Sequence, residues 1–290
     1  MSNDIVSSME GFPVTEQTLD QPAGAIPPVG APDRNSPPVA REMDGRVAVL
    51  TMQHAPHNFV GIALFAALID GVGWAAEQRA RAVLLRSSLR NFCAGADVEL
   101  FDSAERGAAP GLDIVELLRV FDTLPIPIVA AVHGVCLGGG LEIALACDLI
   151  VASESAKIGS VEAAIGLNPL MGGIQRVTER AGAARAKEMA LLARRYDART
   201  LERWNVINRV VADEHLADVT RTLAHELANG PTIAHASTKA IVSYAVSHGV
   251  QATDEAMGEL QKEIWKSEDL KIGLASLAAN GPGAARFGGR

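Results

Sequence analysis

An α/β fold organised on a mainly parallel, buried sheet is what this sequence predicts, and three observations carry that expectation. Apolar, β-branched runs at 45–52, 81–87 and 126–135 are separated by segments that include a helical period at 62–78, the strand, helix, strand spacing of a sheet covered on both faces. The run at 126–135 then passes through Gly138, Gly139 and Gly140 into a helical pattern, which reads as a buried strand, a tight turn and a helix start. Beyond residue 214 the pattern is helical to the C-terminus.

Composition bounds the rest. The 290 residues, 48% of them hydrophobic, suffice for one large domain or two modest ones with a substantial core. A formal net charge of −8 without a basic run disfavours nucleic acid and anionic membrane surfaces as partners. Cys93, Cys136 and Cys147 sit in apolar settings; they suggest neither a disulfide framework nor a zinc site, no metal is expected, and each reads as a small buried hydrophobe. No charged region followed by an apolar block opens the chain, and no apolar run approaches membrane-spanning length. A soluble protein of the reducing cytoplasm is therefore expected.

In chain order, residues 1–40 are proline-rich without an apolar period, the composition of an extended, mobile arm. Residues 41–225 form the expected core, starting with the strand at 45–52, and residues 226–290 a helical region. HAPHN at 54–58 makes a turn, and 91–98 is a small-residue turn leaving the strand at 81–87. A helix at 113–124 precedes the glycine segment. A short strand follows at 148–152 and a strand and turn at 157–162, which places Glu162 twenty positions after Glu142. A second glycine-bearing loop spans 166–173, a helix of mixed period 175–193 and the last strand 206–211. Helices at 215–229, 231–247 and 254–279 close the chain.

The glycine segment concentrates the chemistry. Consecutive glycines permit positive φ and let a ligand approach the backbone, and the unpaired N–H groups of a helix start stabilise an anion or a developing oxyanion. Glu142 lies in that first turn. A purely structural account also fits, since glycines between strand and helix accompany close packing and Glu near a helix start is favoured by the dipole alone. The spacing G-x-x-x-G-G-G differs from the dinucleotide fingerprint, and no Lys-Ser or Lys-Thr follows to make a P-loop.

Four motifs in fixed order, FCAGADV at 92–98, GVCLGGGLEIALACD at 134–148, IGSVEAAIGL at 158–167 and GGIQR at 172–176, together resemble the crotonase family, the enoyl-CoA hydratase/isomerase superfamily. The likeness extends from Gly45 onward and includes the ending with Gly281. It implies a spiral of ββα units with two roughly perpendicular sheets, then C-terminal helices that pack trimers, often as dimers of trimers. It implies an acyl-CoA substrate with no cofactor beyond the coenzyme A moiety. The thioester carbonyl would be held by the backbone N–H groups of Ala96 and Gly139, an arrangement that stabilises enolate-like charge. Ala94, Asp97, Val98, Gly138 and Leu170 are the expected substrate or CoA contacts.

Hydratases of the family resemble this chain in carrying both carboxylates, at the positions of Glu142 and Glu162, which share the acid and base work of adding water to a 2-enoyl thioester. Isomerases tend to keep a single one, often at Glu162, so enoyl-CoA isomerisation is the alternative. A non-catalytic acyl-CoA binding or assembly subunit, with the arm for docking, is a third reading. One departure stands out. PLMGG at 169–173 replaces the usual P-G-x-G-G, so Leu170 puts a side chain where the family has glycine, with the polar Asn168 beside it. His54, His57 and His133 read as turn or packing residues and Cys136 lacks a partner histidine motif. Ser160 lacks a G-x-S-x-G elbow, and Asp97 reads as a loop-fixing residue rather than a base.

Overall fold

The computed structural model describes residues 36–101 and 114–290. The expected arm up to residue 35 lies outside the described residues.

The first half of the chain supplies β1 (Val39–Asp44), β2 (Val47–Met52), α1 (Ile62–Glu77), β3 (Ala82–Ser87), α2 (Ile114–Thr123), β4 (Ile128–Val132), β5 (Val135–Leu137) and α3 (Gly139–Leu145). Next come β6 (Leu149–Ser153), β7 (Lys157–Gly159), α4 (Gly173–Leu192), β8 (Tyr196–Asp197), α5 (Ala198–Arg203) and β9 (Arg209–Val211). The chain closes with α6 (Leu216–Asn229), α7 (Thr232–His248), α8 (Val250–Leu260) and α9 (Glu268–Asn280).

The larger sheet runs β1-β2-β3-β4-β6-β9, parallel throughout except for the β1–β2 hairpin. Successive side chains on a strand alternate between faces, and the two faces enter different cores. Ala48, Leu50, Val83, Leu85, Ile128 and Ala130 join α1, α2 and α3 in the main core. Val47, Val49, Ala82, Leu84, Val129 and Ala131 pack on Leu216, Ala224 and Ala228 of α6. Burial on both sides explains why β2 reads as a continuous apolar run.

Strand β1 begins six residues before the expected first strand. It is an edge strand, mostly exposed, with the sequence VAREMD, so one uncovered face leaves no apolar period to read. The run expected as one strand over 126–135 is cut at Gly134, whose φ is +59° and where a Cβ would stand 2.3 Å from the Arg90 carbonyl oxygen. The chain turns there, and β5 enters a second sheet of order β5-β7-β8. The strand expected at 206–211 is confined to β9. The helix expected over 254–279 is two helices, because Ser267 caps α9: its hydroxyl oxygen accepts from the Leu270 N–H at 3.1 Å. The C-terminal helices are tied back to the core through Lys239, whose Nζ donates to Asp148 Oδ2 at 2.7 Å, the same oxygen that accepts the Ile128 N–H. Among the described residues no helix is long and apolar enough to cross a membrane.

The second sheet brings β5 against the loop that leaves β3. Cys93 and Cys136 form a parallel bridge, and α3 starts immediately beyond. At Gly140 a Cβ would lie 2.6 Å from the Cys93 carbonyl oxygen and 2.7 Å from its Cβ. Backbone cannot yield as a side-chain end can. Gly140→Ala is therefore expected to lower stability by about 2–3 kcal/mol, read as a shift in the urea unfolding midpoint; a midpoint unchanged within error would show slack at this crossing.

Candidate active site

Two backbone turns meet at the site, and one buried asparagine organises the first of them. Asn58 is fully buried with φ +54°. Its Oδ1 accepts the His54 N–H at 2.8 Å, and its Nδ2 donates to Ser87 Oγ at 2.7 Å and to the Phe92 carbonyl at 2.9 Å. The Asn58 carbonyl in turn accepts from the Cys93 thiol. These bonds fasten the turn after β2 to the loop after β3, and the backbone continues the seam: Ala94 N–H to His57 O, Val60 N–H to Gly95 O and Asp97 N–H to Val60 O, at 3.1, 2.8 and 2.9 Å. The Ala96 N–H takes no part in that ladder. Among the described residues it has no acceptor, and neither has the Gly139 N–H at the start of α3. A donor left unpaired at a folded turn is costly unless water or a ligand accepts from it.

The second turn is held by Gly138, with φ +52° and its N–H donated to the Gly159 carbonyl at 2.9 Å. Gly139 faces Val60 closely enough that a Cβ would lie 3.2 Å from Val60 Cγ2. Glycine at 138 is thus favoured by its positive φ, and at 139 by the close approach of Val60 from the first turn.

Glu142 projects from the first turn of α3 and is only 4% exposed. Its Oε1 accepts the Met171 N–H at 2.7 Å and the Gly173 N–H at 2.9 Å. Burial lifts its carboxyl to about 7, the Gly173 and Met171 amides pull it back down, and the charge of Glu162 raises it further. A carboxyl balanced near neutrality both gives and takes a proton readily. Glu162 follows β7 at the start of a 3-10 turn. Its Oε2 accepts from the Ser160 hydroxyl at 2.7 Å, while its Oε1 is buried and without a hydrogen-bond partner among the described residues.

These groups share one cavity of about 220 Å³, lined by Ala94, Ala96, Val98, Gly138, Gly139, Glu142, Glu162 and Leu170 of the expected set, together with Val60, Leu100, Phe101, Ile114, Ile165, Leu167 and Met171. Apart from the two carboxylates its named walls are apolar. Asp97 stands outside this wall: its Oδ1 accepts the Glu99 N–H at 3.1 Å and fixes the loop. Leu170 is 39% exposed and lines the cavity, yet the neighbouring Met171 and Gly173 amides still clamp Glu142.

Asn58 and Val60 are site-building residues that sequence reasoning passed over, and Ser160, weighed there only as a nucleophile, hydrogen-bonds Glu162. The only local signal for the first was a polar residue closing the HAPHN turn. His57 Nδ1 meets Asn91 Nδ2 at 3.1 Å and His133 Nε2 meets the Leu89 carbonyl at 2.7 Å, the packing roles expected of them. Burial pushes the Cys93 thiol up to about 12 and Cys136 well above its ordinary value, which removes thiolate chemistry near neutral pH. No cluster of metal-ligating side chains forms among the described residues.

A family model for enoyl-CoA hydratase/isomerase matches residues 42–282. Carnitinyl-CoA dehydratase of Proteus mirabilis (strain HI4320) is 38% identical over 206 residues, 68% of this chain and 77% of that one. The 1,2-epoxyphenylacetyl-CoA isomerase of Escherichia coli (strain K12) is 34% identical over 205 residues, 69% of this chain and 78% of its own. The crystal structure of enoyl-CoA hydratase subunit I from Geobacillus kaustophilus HTA426 superposes with a TM-score of 0.80 at 30% identity, covering 87% of this chain and 98% of that one.

Because the folded state raises the Glu142 carboxyl from 4.5 to about 7, it binds this proton more tightly than the unfolded chain does. The associated stability is complete below pH 4.5 and declines as pH rises through 7. Glu142→Gln keeps an acceptor for the two amides and is neutral throughout. It is expected to be more stable than the native protein at pH 8, by up to about 3 kcal/mol, with the difference closing toward pH 5 in urea titrations. A variant less stable at pH 8 would contradict this.

Proposed function

This chain belongs to the enoyl-CoA hydratase/isomerase family, and from that premise we propose that it hydrates a 2-enoyl-CoA to the 3-hydroxyacyl-CoA. What supports hydration over isomerisation is the convergence of two carboxylates, Glu142 and Glu162, on a cavity that also exposes the Ala96 and Gly139 amides. Isomerisation needs one carboxyl to move a proton between carbons. Hydration needs one group to accept the proton of an attacking water and one to deliver a proton to Cα.

In this mechanism the thioester oxygen takes hydrogen bonds from the Ala96 and Gly139 N–H groups. Water adds to Cβ as the Cα=Cβ π pair shifts toward the carbonyl, and the two amides stabilise the resulting enolate oxygen. Each such donor contributes about 3 kcal/mol to the transition state. The water proton passes to one carboxylate, and Cα takes a proton from the other carboxyl as the carbonyl re-forms. The Met171 and Gly173 amides hold Glu142 in place throughout, and the apolar walls exclude competing water. Nothing in these steps calls for a cofactor beyond the coenzyme A of the substrate, and a cytoplasmic setting suits the reaction.

The assembly proposed alongside is a trimer or a dimer of trimers. Val246, Trp265, Leu274 and Leu277 on and between the C-terminal helices are exposed, which supports self-association there, since isolated folded chains seldom present many large apolar side chains on one region.

Incubation with crotonyl-CoA and longer 2-enoyl-CoAs is expected to remove the conjugated-thioester absorbance and yield 3-hydroxyacyl-CoA. Glu142→Gln and Glu162→Gln should each lower the rate by roughly 10²–10⁴-fold. Turnover of 3-enoyl-CoA alone, surviving Glu142→Gln, would replace this reading with isomerisation.

A further inference from the structure

Ser160 is part of no wall of the catalytic cavity, yet it is 7% exposed and its hydroxyl donates to Glu162 Oε2 at 2.7 Å. It instead lines a separate space of about 10 Å³ with Gly138, Leu141, Glu142 and Gly173. The other Glu162 oxygen, Oε1, is buried without a partner among the described residues. It lies beside Gly138, where a Cβ would approach it to 3.3 Å, and Gly138 and Glu162 are both on the cavity wall. One carboxylate oxygen is thus tethered, and the other is buried and unpartnered among the described residues, beside a wall residue of the cavity.

We propose that Ser160 is the positioning residue of the second carboxylate, its hydroxyl holding Glu162 Oε2 so that Oε1 faces Glu142 across the cavity. The contrast between the two carboxylates motivates the assignment. Glu142 is fixed by two backbone amides, which no side-chain substitution removes. Glu162 leaves β7 on a 3-10 turn, and among the described residues its one hydrogen-bonded tether is a hydroxyl two residues back. A carboxylate with a single tether has rotamers to choose from, and side chains that must act in a fixed geometry depend on such support. The kinetic part of this inference rests on the hydration reading; the geometric part does not.

The test has two arms. Crystal structures of the native protein and of Ser160→Ala are expected to differ in the Glu162 rotamer, with Oε1 turned out of the cavity or disordered in the variant. The same well-ordered rotamer in both would overturn the proposal whatever the enzyme catalyses. In steady-state hydration of a 2-enoyl-CoA, Ser160→Ala is expected to lower kcat by roughly 10- to 100-fold, the size set by losing a hydrogen bond to a charged group. KM should change by less than about twofold and Ser160→Thr should restore most of the rate. Equal kcat in all three proteins, or a loss carried by KM alone, would overturn the assignment. Absence of hydration by the native protein would instead count against the proposed reaction, and the rotamer comparison would still decide the role of Ser160.

Discussion

The approach of Gly140 to Cys93 is the constraint on which the site depends. At this crossing the start of α3 and the loop after β3 are separated by less than a methyl group would need. Ala96 and Gly139, whose N–H groups have no acceptor among the described residues, line one cavity where these two turns meet. Everything that brings the turns together is long-range: the Asn58 bonds to Ser87 and Phe92, the Cys93–Cys136 bridge, and the departure of β5 into a second sheet at Gly134. Two cores on opposite faces of the larger sheet hold that frame rigid.

On this frame the proposed chemistry is divided between backbone and side chain. The proposed oxyanion donors are main-chain amides, so they persist through most substitutions and are lost only if the turns shift. The carboxylates are held differently. Burial raises Glu142 toward neutrality, and the Gly173 and Met171 amides moderate that rise without abolishing it. A group so placed stores part of the folding free energy in its protonation state, and a neutral amide side chain in its place would relieve that cost while removing the proton transfer. In the proposed mechanism, stability and catalysis therefore pull in opposite directions at this position.

Much of this was legible in the amino-acid order. The β4–α3 segment declared itself because a strand buried on both faces, a glycine turn and a helical start each leave a local signature, and the four ordered motifs carried the family. Three things were not legible. Strand β1 is an exposed edge and has no apolar period. The break at Gly134 lies inside an unbroken apolar run, and only the Arg90 carbonyl, distant in sequence, shows why glycine stands there. Asn58 and Ser160 support the site through partners that pattern alone does not reveal. Leu170 marked a departure from the family pattern, and the fold absorbs it: its side chain lines the cavity, while the Met171 and Gly173 amides, with a smaller contribution from the Leu170 amide, still hold Glu142.

The most direct measurement is a crystal structure with a saturated acyl-CoA bound. The account predicts the thioester oxygen at about 2.7–3.1 Å from both the Ala96 and the Gly139 nitrogens, with Cα and Cβ lying between Glu142 and Glu162. A thioester oxygen reaching only one of these amides, or an acyl group seated away from either carboxylate, would contradict it.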